Sequence, residues 1–169
     1  MVLVAAALTL SCDSSQTTPV PSPPPAAVAP VAGGRTIDDA ARVDMKEALA
    51  AETTRKRAWI YSQPGSAEVA ALVGRLQGVF RDAGWEVTAE TASGISLKPG
   101  VMTLIADEQY PAYIDAVLKA LEASGLQAKS ASGYRSYYEE KKKENPGWPG
   151  IPLRADQDFV IVVGPKPAA

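Results

Sequence analysis

The side chains able to do chemistry in this chain are few, and the missing types decide more than the present ones. Across 169 residues there is no histidine, and Cys12 is the single cysteine. The chain therefore cannot assemble from its own residues a Ser-His-Asp or Cys-His nucleophile system. Nor can it supply a His/Cys zinc site, a c-type haem attachment or an internal disulfide. What remains is two groups of residues at predicted strand ends and one aromatic cluster. Gln63-Pro64-Gly65-Ser66 could offer backbone N–H groups to an anion at a helix N-terminus. It holds one glycine and matches neither G-x-G-x-x-G nor G-x-x-x-x-G-K-[ST], and a turn followed by an N-cap explains it equally. Asp107 and Glu108 could act as acid/base groups or hold a divalent cation; their other reading is a first helical turn that welcomes acids. Placed at the same rim, they would repel a phosphate. Tyr134, Tyr137, Tyr138 and Trp148 are the candidate contact surface, because amphipathic aromatics give large contact area at low entropic cost. Their bland reading is packing of their own segment onto the domain. No cofactor and no metal is expected from these sets.

The elements that must position these residues centre on Ala58–Glu90. Ala58-Trp59-Ile60-Tyr61 is an apolar run, and Pro64-Gly65-Ser66 breaks it. Val69, Leu72, Val73, Leu76, Val79 and Phe80 then recur at helical spacing. Gly84 stops that helix before the alternating strand at Glu86–Glu90, a pattern suited to an edge. Val101–Ala106 repeats the scheme, with a helix carrying Ile114, Val117, Leu118 and Leu121, a stop at Gly125 and an alternating stretch at Leu126–Ser130. Pro111 suits the first turn of that second helix. Before the first unit, Thr36 and Asp39 form a partial capping box for a helix with a thin, alanine-rich apolar stripe. Arg55-Lys56-Arg57 closes that helix, either as dipole partners or as a phosphate-binding patch. Gly133–Pro152 reads as an insertion with a short charged helix and a Pro/Gly stop, and Phe159–Val163 as the most apolar strand.

Runs at Trp59, Leu104 and Ile161 that are apolar throughout imply strands covered on both faces. The expected fold is a small three-layer α/β domain of Rossmann-like character with a mainly parallel sheet, its two helices on opposite faces. The alternative is a ferredoxin-like α+β plait, since a hairpin across Thr91–Gly100 would be natural.

Residues 1–12 form an apolar start that ends at Leu8-Thr9-Leu10-Ser11-Cys12. Its apolar run of about ten residues suits a secretory signal, whereas a spanning helix needs ~20. The small residue before cysteine resembles the cleavage site of bacterial lipoprotein precursors. Thr9 stands where that family has leucine, and no Lys or Arg precedes the apolar run. The resemblance implies a lipid on Cys12 and a place in the bacterial cell envelope, facing the periplasm. Residues 13–34 read as a linker. Pro19, Pro21, Pro23, Pro24, Pro25 and Pro30 favour extended polyproline II, and such a segment buries too little to fold. Residues 35–169 remain as one α/β domain, long enough for a single core.

The composition is that of a globular protein, with 46% hydrophobic and 21% charged residues. A net charge of −2 gives no reason to expect nucleic acid as a partner. The functional expectation is a non-enzymatic, membrane-tethered interaction module with an envelope protein as partner. The alternative is a domain that binds or senses a small anionic or nucleotide-like ligand at the Gln63–Ser66 rim. An enzyme using carboxylate, Ser, Tyr or Lys alone is a third reading.

Overall fold

The computed structural model describes residues 34–54 and 57–168. The expected signal and most of the linker, Cys12 included, lie outside the described residues, as do Arg55 and Lys56 of the basic run. The elements in order are α1 (Asp39–Ala50), β1 (Arg57–Ser62), α2 (Ala67–Asp82), β2 (Glu86–Thr91), β3 (Val101–Ile105), α3 (Tyr113–Ala123), β4 (Lys129–Ala131), α4 (Tyr134–Glu144) and β5 (Phe159–Val163).

Local chemistry sets where these elements begin and end. α1 is capped by Asp38 rather than Thr36: its carboxylate accepts the Ala41 N–H at 2.8 Å. Aspartate is at least as good an N-cap as threonine, so the helix starts later than the capping-box reading places it. Ser66 caps α2, its Oγ accepting the Val69 N–H at 3.3 Å. Gly84 ends α2 with φ +81°. There the Gly84 N–H donates to Arg81 O at 2.8 Å and the Trp85 N–H to Phe80 O at 2.9 Å. These two bonds satisfy the last carbonyls of the helix. α3 starts at Tyr113, past Pro111, and is entered through i→i+3 bonds from Ile114 to Pro111 O and from Asp115 to Ala112 O.

The five strands form one mixed sheet in the order β2-β1-β5-β3-β4. β1 pairs parallel with β2 and β5, and β3 pairs parallel with β4. Only the β3–β5 pairing is antiparallel, with Thr103 opposite Ile161. The molecule is thus a three-layer α/β fold of Rossmann-like character, with a mostly parallel sheet between helices. β2 and β3 are not neighbours, so the hairpin of the ferredoxin-like alternative does not form.

The expectation that the two crossover helices lie on opposite faces is corrected by the direction of β3. Two right-handed β-α-β units that spread in opposite lateral directions would place their helices on opposite faces if all strands ran the same way. β3 and β4 run against β1 and β2, which returns α3 to the face of α2. Met45 and Leu49 of α1, Leu72 and Leu76 of α2, and Ile114 and Val117 of α3 share one core with Ile60, Phe159, Ile161 and Val163. Each of these buried aliphatic or aromatic side chains contributes about 1.5–3 kcal/mol of transfer free energy. The Trp85 indole fastens α1 to this layer by donating to Leu49 O at 3.0 Å. On the other face, Trp59, Leu104, Val160 and Val162 pack with Ala92, Leu97, Tyr134 and Ile151. α4 and the segments on either side of it cover that face, and they do so incompletely.

Candidate functional site

The incompletely covered face holds a cleft of about 440 Å³. Its floor is the sheet itself: Met102 and Leu104 of β3 and Val162 of β5 point the same way because alternate strand residues share a face. One wall is the connection 95–99, and the other is the exit of β4 with the first turn of α4. The segment 148–151 borders it above Tyr134 and Tyr137. Among the described residues of this lining, Lys98 is the one that is charged.

The sequence of α4 builds the aromatic side of the cleft. Tyr134, Tyr137 and Tyr138 sit at i, i+3 and i+4, so they occupy one helical face. Gly133 precedes them with φ +69°. That left-handed conformation, which glycine adopts without strain, lets the chain turn from β4 straight into the helix. At the other end Asn145 reverses the chain. Its Oδ1 accepts the Gly147 N–H at 3.0 Å and its carbonyl accepts the Trp148 N–H at 2.9 Å. Trp148 is thereby brought back onto the tyrosines, edge-on to Tyr137 at 5.6 Å and to Tyr138 at 5.7 Å. A Cβ at Gly150 would land in the Trp148 ring, so only glycine lets the indole fold back over position 150. Tyr134 is buried, and its hydroxyl accepts the Ile151 N–H at 3.0 Å, which pins the returning segment to the helix. Burial pushes the Tyr134 phenol above its ordinary pKa, partly opposed by that backbone donor. Tyr137 stays 46% exposed at the mouth.

All four aromatics of the expected contact surface therefore come together, in two roles. Tyr134 and Tyr138 hold the segment to the sheet, and Tyr134, Tyr137 and Trp148 line the cleft. Pattern reading missed the floor and the far wall. Met102, Leu104 and Val162 are hidden in strands that are apolar on both faces. Ile95 and Leu97 sit in a stretch whose glycines and proline read as a turn, although their i, i+2 spacing is the signal of an extended segment with one apolar side.

The expected ligand rim does not assemble. β3 runs against β1, so Gln63-Pro64-Gly65-Ser66 and Asp107-Glu108 leave their strands at opposite ends of the sheet. Gln63 is occupied as a bracket: its N–H donates to Val163 O at 3.0 Å, and its Oε1 accepts the Leu97 N–H at 2.7 Å. Pro64 and Gly65 form the exposed turn, and Ser66 is the α2 cap. The first turn of α2 already holds an anion, the Glu68 carboxylate. Arg35 donates to it from Nε at 2.8 Å and Nη2 at 3.0 Å. The side-chain hydrogen bond from Arg35 holds Glu68 below the usual carboxylate range. At the far end Asp107 lies 3.8 Å from Arg135, and the Glu108 side chain lies against Gly133. Among the described residues, no group of three or more acidic, cysteine or histidine side chains is placed to hold a metal ion.

A second polar cluster sits over β1 and β2. Arg154 bridges to Glu90 at 2.8 Å, and that contact lowers the Glu90 pKa. Tyr61, opposite Glu90 in the strand register, is raised chiefly by burial. Arg57 stacks over Trp59 at 5.1 Å and lies 3.3 Å from Glu86, so this residue of the basic run is engaged within the domain.

Fold and cleft together define a three-layer α/β domain with an aromatic-walled apolar groove on one sheet face. Comparison with known proteins adds no relative: no protein-family model matches the chain, no curated protein matches it, and no solved structure matches it.

Proposed function

We propose that this is a non-catalytic binding module that takes an apolar group of a partner protein into the cleft beside Tyr137 and Trp148, displayed from a membrane by a lipid on Cys12. The observation that carries the reading is the cleft. Apolar floor, ring-lined wall and, among the described residues, a single charged lining residue suit burial of uncharged surface, and ring-bearing pockets are where binding energy concentrates at interfaces. The lipoprotein-like Leu8-Thr9-Leu10-Ser11-Cys12 supports the tether, and the bacterial envelope is where such a tether would place the domain. Among the described residues no helix is long and apolar enough to cross a membrane. The alternative, an anion or nucleotide-like ligand at Gln63–Ser66, has less support, because Glu68 occupies the adjacent helix start.

Two measurements test the two halves. A photo-crosslinking residue at position 137 is expected to capture one discrete partner in intact cells, and Trp148→Ala to abolish the adduct. Capture that is equal from position 70, on the exposed side of α2, would refute the cleft as the binding face. For the tether, Cys12→Ser is expected to move the protein from the detergent to the aqueous phase on partitioning. Unchanged partitioning would refute lipidation.

A further inference from the structure

The cleft has a candidate occupant in the same chain. Residues 14–34 contain no charged side chain and carry six prolines, five of them between Pro19 and Pro25. Proline-rich segments enter grooves lined by tyrosine and tryptophan because their polyproline II shape is set in advance and little entropy is lost on docking. The cleft offers the Tyr134–Tyr137–Trp148 ring series, with centroids 6.2 Å and 5.6 Å apart, over an almost uncharged lining.

The point where the described chain begins bears directly on this. Arg35 is held by Glu68 and also donates to Gly164 O at 2.7 Å. Gly164 in turn abuts the backbone of Lys98 and Pro99, so closely that a Cβ there would overlap the Lys98 carbonyl. Lys98 and Pro99 are cleft wall. The anchor that ends the proline-rich stretch is therefore one backbone segment away from the groove. Residues 26–34 link Pro25 to Arg35. A link of that length reaches up to roughly 30 Å when extended. That is ample for a cleft of about 440 Å³ next to the anchor.

We propose that the segment Pro19–Pro25 of this chain docks in the Tyr137–Trp148 cleft, so that a partner engages the domain by displacing the chain's own tether. The proposal rests on the cleft being a binding site, and adds what occupies it in the free protein. A link this short sets an effective concentration on the order of millimolar. A segment whose intrinsic Kd is about 1 mM then occupies the groove about half the time. Weak intrinsic affinity is what makes it displaceable.

The test uses the full chain carrying Cys12→Ser, with a spin label attached at Ser22→Cys. Paramagnetic broadening is expected at the Trp148 indole and the Ala131–Tyr137 amides, and not at Trp85 on the opposite face. The combined Pro23→Ala, Pro24→Ala and Pro25→Ala chain should lose most of that broadening while keeping its other resonances. Broadening that is absent, or spread evenly over both faces, would overturn the proposal. So would broadening seen only between labelled and unlabelled copies mixed together, which would assign the groove to a second molecule. The photo-adduct at position 137 separates this proposal from the reading beneath it. An adduct to a discrete partner without broadening leaves the cleft a binding site but not for its own tether; loss of both removes the cleft itself.

Discussion

Tyr134 shows how one side chain holds a binding face in shape. Its hydroxyl is the acceptor for the buried Ile151 N–H, and its ring packs with Leu104 of β3 and with Ile151 of the returning segment. Tyr134→Phe keeps the ring and removes the acceptor. A buried donor left unpaired costs about 1–3 kcal/mol, so urea denaturation is expected to show a loss of that size, with an m-value unchanged. Gly150 acts by what it lacks. Gly150→Ala sets a methyl against the Trp148 ring, and the strain is relieved by moving the indole aside. Stability is expected to fall by less than about 1.5 kcal/mol, while the Trp148 indole resonance shifts and the edge contact with Tyr137 is lost. At Gly164 the obstacle is the Lys98 carbonyl. That backbone cannot swing aside, because Gly100 is bonded on both sides, to the Gly164 N–H and to Pro165 O, each at 2.9 Å. Gly164→Ala is therefore expected to cost about 2–3 kcal/mol, an overpacking penalty readable in the same denaturation experiment. None of these roles could be read from residue type. Sequence marks glycine at turns, and it does not say which ring or carbonyl approaches.

At the scale of elements, legibility followed periodicity. α2 and α3 announce themselves by apolar spacing and by Gly84 and Gly125, both of which adopt positive φ. α4 was legible as a charged helix, yet its consequence was not, because the three tyrosines gain meaning only when the Asn145–Trp148 turn folds back on them. The rim at Gln63–Ser66 and Asp107–Glu108 failed for a related reason: its assembly depended on strand direction, which no local pattern encodes. What the first turn of α2 does bind is internal. Arg35 and Glu68 have side chains 10% and 16% exposed, so this ion pair is substantially removed from water. Glu68 is held below the ordinary glutamate value of 4.5, chiefly by the hydrogen bond from Arg35. A depressed folded pKa means that the unfolded chain binds more protons through the window between the two values. The stability from this pair is thus fully present above about pH 4.5 and is lost as pH falls through the depressed folded value. Acid titration of the folding free energy should show that loss, and Glu68→Gln should flatten it. At neutral pH the same substitution should cost about 2–3 kcal/mol, since it leaves the Arg35 guanidinium buried without its counter-charge.

For the whole molecule, the governing fact is that the strand furthest along the described chain lies in the middle of the sheet. β5 sits between β1 and β3, and all five of its residues are buried. The apolar run at Phe159–Val163 made burial on both faces legible, but not this strand's place in the sheet. The antiparallel register with β3 was not legible either, and that one reversal places α1, α2 and α3 on one face and leaves the other to α4 and its loops. The sheet edges differ in the same physical terms. β2 pairs along six residues with β1, whereas β4 has three residues, all exposed, and borders the cleft at Ala131. Amide protection should follow this layout, because exchange needs local opening at an edge and global opening at the centre. In hydrogen exchange of the full chain, Val160–Val163 are expected to exchange only through global unfolding, with free energies equal to that from denaturant. Lys129–Ala131 should be the fastest strand amides by several orders of magnitude. Adding the captured partner should slow Ala131 and the first turn of α4, and leave β2 unchanged. Slowing confined to β2 would instead place the partner on the far edge, away from the rings, and the assignment of the cleft as the binding face would fail with it.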